Sequence, residues 1–285
     1  MLQNTIIIFS IFLMNNAVSA AQTSSEEINI GTSHSIRSDV LDEDRPYWIH
    51  LPSNYDPEKQ YPVMYLLDAR FNFTYTAGYL DILPFDGNVK QTILIAILNT
   101  NRLRDLTPTH SDNGLEGKAI KQFTQSGGGE KFLDFIKEEL VPQIEKSYST
   151  NGHRILAGHS NGGLFSMFAF LEAPDFFQSF IAGDPTLVWD NDVLVKRLEA
   201  RINTPPSSYN SIYISSANNE NDPFLPATKM KVSQLKFVKL LSKWKSDKFK
   251  IKYEHFGNEN HLTSAFVGMS RGIQFTFDEE KNQNN

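Results

Sequence analysis

The sequence predicts an α/β protein with a mostly parallel, doubly wound sheet and helices on both of its faces. Short aliphatic runs alternate along the chain with segments in which apolar residues recur at helical spacing. Some of these runs, such as residues 92–98, are continuously apolar, which is typical of parallel strands covered on both faces. The chain has 285 residues and is 40% hydrophobic, so it can bury the core of one large domain.

The individual elements follow from these patterns and from the turn residues between them. The sequence predicts strands at residues 28–36, 46–51, 61–68, 92–98, 154–158, 177–182, 211–216 and 249–255. It predicts helices at residues 129–145, 164–170, 192–200, 229–245 and 262–277. Pro142 should kink the first of these helices. We expect loops at residues 69–88, 101–128 and 183–191, and these loops should shape a ligand pocket.

Residues 1–20 have the features of a secretory signal peptide. An apolar core at residues 6–14 is followed by small residues at the −3 and −1 positions of a cleavage site after Ala20. The apolar run is short for a membrane span, although an uncleaved anchor remains the alternative. We therefore expect residues 21–285 to form a single domain that is periplasmic or secreted, with no stable membrane insertion after cleavage.

Composition excludes several classes of function. The formal net charge is −6 and no basic tract interleaves with aromatic residues, so a nucleic-acid partner is not expected. The lysine-rich stretch at residues 229–250 carries apolar residues at helical spacing, which indicates an amphipathic helix with a solvated lysine face. The chain has no cysteine, which excludes disulfides, a thiol nucleophile and Cys-ligated zinc. We expect no cofactor and no metal, and the oligomeric state stays open.

The pentapeptide Gly158-His159-Ser160-Asn161-Gly162, followed by another glycine, carries the strongest functional signal. A predicted strand ends at its first residue and a predicted helix begins just after its last. A serine on such a tight strand-to-helix turn is the nucleophile elbow of the α/β-hydrolase fold. Glycines are needed there because a side chain would clash with the neighbouring strand and helix. The sequence therefore predicts an α/β-hydrolase fold with Ser160 as the nucleophile.

A nucleophilic serine needs an imidazole that takes its proton and a carboxylate that orients the imidazole. In this fold the acid and then the histidine follow the serine along the chain. His261 is placed in the loop after the last predicted strand, whereas His255 lies inside that strand, so we favour His261 as the general base. The loop after the preceding strand offers Glu220 and Asp222, and spacing alone does not choose between them.

The oxyanion of the tetrahedral intermediate needs two backbone N–H donors. One donor should come from Asn161, directly after the nucleophile. The other should come from the loop after residues 61–68, where we favour the N–H of Arg70.

With these features, the chain resembles the esterase D-like (putative-esterase) family of α/β-hydrolases over roughly residues 30–277. The string Asn-Arg-Leu-Arg-Asp-Leu-Thr-Pro at residues 101–108 is similar to the siderophore-esterase branch and to exported esterases near it. The other shared motifs are YLLD at residues 65–68, GHSNGG at residues 158–163 and ENH at residues 259–261.

The resemblance implies an exported serine carboxylesterase that hydrolyses a small-molecule ester through an acyl-enzyme. It carries over Ser160 as nucleophile and His261 as base, and it favours Glu220 as the acid because the family uses a glutamate after a Gly-x-x turn. Here Ala217 stands in place of that glycine, which leaves Asp222 open. An acyltransferase on the same scaffold and a non-catalytic binding protein are the alternatives.

The charged residues of the 101–108 string allow two interpretations. Arg102, Arg104 and Asp105 could position a substrate, or they could form ion pairs that hold the loop. We favour the ion-pair clamp.

Overall fold

The computed structural model describes residues 27–112, 114–115, 121–208, 210–222, 225–244 and 246–278 of the chain. The segment predicted as a signal peptide lies outside these residues, so its cleavage and the boundary of the domain stay predictions.

In the described part of the chain, eight strands form one sheet in the order β1-β2-β4-β3-β5-β6-β7-β8. The first two pairings, β1 with β2 and β2 with β4, are antiparallel, and every later pairing is parallel. This confirms the predicted mostly parallel, doubly wound sheet. The strands are β1 (Thr32–Ser38), β2 (Glu43–His50), β3 (Tyr61–Leu66), β4 (Ile93–Ile97), β5 (Thr150–His159), β6 (Ser179–Gly183), β7 (Asn210–Ala217) and β8 (Phe249–Phe256).

Helices cover both faces of the sheet, and a separate apolar core lies between the sheet and the helices on each face. Helices α1 and α8 bury one face, and α3 to α7 bury the other. The helices are α1 (Ala69–Ile82), α2 (Arg102–Leu106), α3 (Gly129–Phe135), α4 (Val141–Ser147), α5 (Asn161–Glu172), α6 (Trp189–Ala200), α7 (Ala227–Leu241) and α8 (Ser264–Phe277). None of the helices in the described part of the chain is long and apolar enough to cross a membrane.

The structure corrects the prediction that residues 69–88 form a loop. Residues 69–82 form the 14-residue helix α1, which buries Ala69, Phe73, Ala77 and Leu80 against the sheet. The segment is rich in aromatic residues and threonine, which have only moderate helix propensity, so local preference gave little signal. Burial of one residue per turn against β3 and β4 stabilises a helix that propensity alone does not predict.

The predicted helix at residues 129–145 is interrupted where Pro142 was expected to kink it. A π-helical turn spans Ile136–Leu140 and separates α3 from α4, with the proline in the first turn of α4. Proline lacks the N–H that a regular α-helical turn would use. The turn before it therefore takes the wider, five-residue hydrogen-bond spacing of a π-helix.

The parallel arrangement decides where a functional site can lie. Because β3, β5, β6, β7 and β8 run in the same direction, their carboxyl ends meet at one edge of the sheet. In open α/β sheets ligands bind at that edge. The loops that follow these strands carry Asp68, Ser160, Asp184, Asn219 and His261.

Candidate active site

Ser160 occupies the strained turn that the sequence predicts. It lies between β5 and α5 with φ 60° and ψ −122°, a conformation that non-glycine residues rarely adopt. The turn is held because the Ser160 N–H donates to Gly183 O at 2.9 Å. A Cβ atom on Gly158 would lie 2.5 Å from the backbone of Gly162, so the close approach of strand and helix requires glycine there. Strain of this kind, held by its surroundings, is common at functional sites.

His261 is oriented by a buried carboxylate. Its Nδ1 lies 2.6 Å from Oδ2 of Asp184, which is fully buried at the end of β6. The loop before α8 is fixed by Asn260, whose Oδ1 accepts bonds from the N–H groups of Leu262 and Thr263 at 3.0 Å. With the Nδ1 proton directed to the carboxylate, Nε2 is the ring nitrogen left to accept a proton.

Groups other than His261 also hold the Asp184 carboxylate in place. Its carboxylate accepts hydrogen bonds from Asn219 Nδ2 at 2.8 Å, Gln234 Nε2 at 2.9 Å and the Ala217 N–H at 3.2 Å. Burial by itself raises the pKa of Asp184, but the bonds from His261 and from the two amides outweigh it, so the pKa lies below its usual value. The carboxylate is therefore ionised at neutral pH and its geometry is set from four directions.

The carboxylate bonded to His261 in the described structure is thus Asp184, and not the predicted Glu220. Glu220 is exposed, because the chain after β7 turns Asn219 inward toward Asp184 and Glu220 outward. The alternative acid Asp222 accepts a bond from the Leu225 N–H at 3.1 Å, within its own turn. His255, the rejected alternative base, is an exposed residue of β8 whose Nδ1 lies 2.8 Å from Ser216 Oγ.

A sequence signal for Asp184 existed. It lies between Ser160 and His261 in the chain, so it satisfies the order of nucleophile, acid and base. It also directly follows a predicted parallel strand, at the edge where ligands bind. The sequence analysis considered only the loop after the next strand, β7, as the source of the acid. In that loop it is Asn219 that faces Asp184.

His261 lies close to the residue that precedes Ser160 in the chain. The imidazole of His159, the residue before Ser160, has its centroid 4.5 Å from that of His261. Among the hydrogen bonds of the described residues, none joins Ser160 Oγ to His261. Such bonds are often long in a free enzyme and tighten when substrate binds. Burial, together with the nearby His261, lowers the pKa of His159 to about 3, so that ring is uncharged at neutral pH.

The two expected oxyanion donors are both at helix N-termini. Arg70 is the second residue of α1 and Asn161 is the first residue of α5. The first N–H groups of a helix have no acceptor within it, and the helix dipole favours negative charge there. The Asn161 side chain is fixed by Thr186, whose hydroxyl donates to Asn161 Oδ1 at 2.6 Å. The Arg70 side chain is exposed.

Arg102 fixes the residue that precedes α1. Its guanidinium donates from Nε to Asp68 Oδ1 at 2.8 Å and from Nη2 to Oδ2 at 2.9 Å, a bidentate ion pair. Asp68 has a left-handed backbone conformation, with φ 56° and ψ 47°. Its carboxylate lies against the elbow, since a Cβ atom on Gly162 would be 3.3 Å from Oδ2. Arg102 therefore neutralises a negative charge beside the turn that carries Ser160.

The rest of the charged string forms the predicted ion-pair clamp. Asp105 is fully buried and accepts bonds from Arg45 Nη1 and Arg104 Nε, each at 2.7 Å. Glu43 accepts a bond from Arg104 Nη2 at 2.6 Å. The guanidinium of Arg45 also lies over the ring of Phe132, 5.0 Å from its centroid. These contacts attach α2 to β2, so the ion-pair interpretation is confirmed for this loop.

An open cavity of about 520 Å³ adjoins His261. Its lining is mostly polar and includes His261, Asn218, Asn221 and Asn260, with Leu262 contributing an apolar side chain that is 67% exposed. Its volume is in the range of pockets that hold small organic molecules.

Comparison with protein families shows what this arrangement is similar to. The model of a family described as "Putative esterase" matches residues 38–269. The ferri-bacillibactin esterase BesA of Bacillus subtilis strain 168 is 29% identical over 247 residues, which cover 82% of this chain and 85% of that protein. The apo-salmochelin esterase of Escherichia coli O6:H1 is 26% identical over 183 residues, 57% of this chain and 54% of that protein.

Solved structures agree with the sequence comparison. An IroE-like serine hydrolase from Shewanella oneidensis superposes with a TM-score of 0.81 at 32% identity, covering 87% of this chain and 80% of that one. The BES protein from Bacillus cereus superposes with a TM-score of 0.76 at 21% identity, covering 90% of this chain and 99% of that one, which supports the fold alone. The predicted α/β-hydrolase fold is confirmed.

Proposed function

Since the chain belongs to the esterase family whose model spans residues 38–269, and is a carboxylic ester hydrolase, we propose that it works through a Ser160–His261–Asp184 triad. The hydrogen bond of 2.6 Å between His261 Nδ1 and buried Asp184 is the observation that carries this proposal. It supports Asp184, rather than Glu220, as the orienting acid. The strained elbow at Ser160 supports the nucleophile, since that geometry presents a hydroxyl at a helix N-terminus.

Acylation begins when Ser160 Oγ attacks the ester carbonyl carbon. Its proton passes to Nε2 of His261, and Asp184 stabilises the imidazolium that forms. The N–H groups of Arg70 and Asn161 bind the oxyanion of the tetrahedral intermediate. When the intermediate collapses, the C–O bond to the alcohol breaks and the departing oxygen takes the proton from Nε2. The acyl group remains on Ser160.

Deacylation repeats these steps with water. His261 takes a proton from a water molecule, whose oxygen attacks the acyl carbon, and the same N–H groups hold the second oxyanion. Collapse returns the proton to Ser160 Oγ and releases the carboxylic acid. An alcohol in place of water would give acyl transfer, so the accepting nucleophile decides between hydrolase and acyltransferase.

The substrates we propose are esters of the siderophore type, because two similar proteins are named a ferri-bacillibactin esterase and an apo-salmochelin esterase. The cavity beside His261 is lined mostly by polar side chains, which supports a substrate with several hydrogen-bonding groups. We also propose that the chain is exported, with cleavage after Ala20, on the pattern of residues 1–20. N-terminal sequencing of the protein recovered outside the cytoplasm tests that step.

Replacement of Ser160 tests the activity. We expect Ser160→Ala to lower kcat for p-nitrophenyl acetate by at least about 10³-fold and to abolish labelling by a fluorophosphonate. Ser166→Ala is the matched control, because Ser166 lies on α5, the helix that follows Ser160, and its hydroxyl donates to Gly162 O within that helix. Wild-type activity or labelling in the Ser160→Ala protein would refute the serine mechanism.

A substrate panel tests the proposed class. We expect the catecholate trilactone to give a higher kcat/KM than p-nitrophenyl esters of increasing chain length or a feruloyl ester. Product analysis with added alcohols separates hydrolysis from acyl transfer, because only a transferase converts most of the acyl group to a new ester. A preference for long alkyl esters would contradict the siderophore assignment while leaving the serine mechanism intact.

A further inference from the structure

Two imidazoles and a carboxylate meet beside the nucleophile. His159, Asp184 and His261 each offer one ligand atom, and these atoms all lie within 4.8 Å of one another. The His159 ring has no part in the hydrolytic steps described above, and its Nε2 lies 3.4 Å from Ser264 Oγ. A side chain placed this close to the base without a role in the reaction calls for another explanation.

The three side chains make a donor set that suits divalent transition metals. Zinc is held in proteins by imidazole nitrogens at about 2.0–2.1 Å and by carboxylate oxygens at about 2.0–2.2 Å. On that tetrahedral geometry the ligand atoms lie about 3.3 Å apart. The widest separation here is within 4.8 Å, so a shift of at most about 1.5 Å would bring the ligand atoms to coordination distance.

The two imidazoles and the carboxylate also predict which metal ions should not bind at this site. Mg²⁺ and Ca²⁺ prefer oxygen ligands and have little affinity for a pair of imidazoles. Zn²⁺, Ni²⁺ and Cu²⁺ bind imidazole well. A molecule from solvent can supply the fourth metal ligand, since Ser160 beside the three side chains is partly exposed.

We propose that His159, His261 and Asp184 form a binding site for a divalent transition metal, with Zn²⁺ as the test ion, and that metal binding reversibly inhibits ester hydrolysis. The metal occupies a nitrogen lone pair of His261, which then cannot take the proton of Ser160. The inhibition rests on the proposed serine mechanism, whereas the metal site itself depends only on the geometry of the three side chains.

Inhibition is measured with tag-free protein and p-nitrophenyl acetate. We expect micromolar Zn²⁺ to reduce activity, EDTA to restore it, and Mg²⁺ or Ca²⁺ at the same concentrations to leave it unchanged. His159→Gln should need at least about tenfold more Zn²⁺ for half-inhibition of its own activity without metal, because it removes one of three ligands. His110→Gln is the matched control, since His110 also faces a carboxylate, with Nε2 3.2 Å from Asp112, but on the surface.

Direct binding decides the question even if His159→Gln has low activity. Calorimetric titration of Zn²⁺ into Ser160→Ala should show one site, and the double variant Ser160→Ala/His159→Gln should bind at least tenfold more weakly. Equal affinity in the two proteins, or equal zinc sensitivity of wild type and His159→Gln, overturns the proposal. Wild-type activity in Ser160→Ala would instead refute the serine mechanism. The comparison of zinc affinities would still test the metal site, because it does not depend on that mechanism.

Discussion

Gln234 Nε2 lies 2.9 Å from Asp184 Oδ1, so a side chain of α7 holds the carboxylate that orients His261. The same amide nitrogen lies 3.0 Å from Pro185 O, and the residue is only 1% exposed. A buried amide with both contacts fixes the direction of the carboxylate and the course of the chain after β6. The lysine-rich helix therefore reaches the candidate active site through its one glutamine.

Gln234→Leu should lower kcat about 10- to 100-fold and leave KM nearly unchanged. Loss of a hydrogen bond to a charged group costs about 1.5–3 kcal/mol, and 1.4 kcal/mol is a factor of ten. The effect should fall on kcat because Asp184 acts on the imidazolium that forms during the reaction. Steady-state kinetics together with urea unfolding distinguishes a specific loss of kcat from a general loss of structure. In the control Gln274→Leu, the lost amide bonds only to Ser270, so kcat should not change.

Asp184→Asn should reduce kcat by about 10³- to 10⁴-fold, because an amide cannot stabilise the imidazolium and permits the wrong tautomer of His261. Glu220→Gln is the matched control, since Glu220 is exposed in the loop where the sequence placed the acid. It should retain wild-type kcat. The reverse ranking of the two variants would restore Glu220 as the acid.

The elbow could be predicted because its signal is local in the sequence, and His261 as the base stays a prediction that its bond to Asp184 supports. Ser160 stands in a pentapeptide that fixes the turn, and His261 lies in the loop between the last strand and α8. The acid could not be located with the same certainty, since the ends of several parallel strands converge on one edge and each can supply a carboxylate. Only the three-dimensional positions show that Asp184 faces the histidine and that Asn219 serves it as a donor.

Helix α1 and the charged string show a second limit of sequence analysis. Helix α1 is stabilised by burial of Phe73 and Leu80 against the sheet, a contribution absent from local propensity. The sequence indicated that Arg102 and Asp105 form ion pairs but gave no partners, because those partners, Asp68 and Arg45, lie 34 and 60 positions away.

Arg102→Met should lower kcat about tenfold or more, with a smaller effect on KM. Without the guanidinium, the Asp68 carboxylate remains as an uncompensated negative charge against the elbow, where a negative oxyanion must form. Initial-rate kinetics on both single variants and on Arg102→Met/Asp68→Asn measures the coupling.

The double variant should recover part of the lost kcat, because removing the carboxylate charge removes the repulsion. Arg37→Met is the control, since Arg37 makes an exposed ion pair with Asp42 and should not affect the rate. If the double variant is no faster than Arg102→Met, the electrostatic explanation fails and Arg102 acts only by holding the loop.

Glu43 links β2 to α2 through Arg104, and its titration should be visible in the stability of the fold. The hydrogen bond from Arg104 is the largest influence on this group, and the pKa of Glu43 is lowered from 4.5 to about 2. Between these two values the unfolded chain binds more protons than the folded chain. The contribution of Glu43 to stability is therefore fully present above about pH 4.5 and is lost as the pH falls toward 2.

Glu43→Gln should accordingly be less stable than wild type at pH 7, and the difference between the two proteins should shrink as the pH falls from 4.5 to 2. Urea unfolding at a series of pH values across this range measures both free energies of unfolding. Glu58→Gln, at an exposed position outside the clamp, should follow the wild-type curve throughout. A difference between Glu43→Gln and wild type that stays constant with pH would mean that the ionised carboxylate does not contribute to the clamp. The cost of the substitution would then come from packing around Arg45 and Arg104.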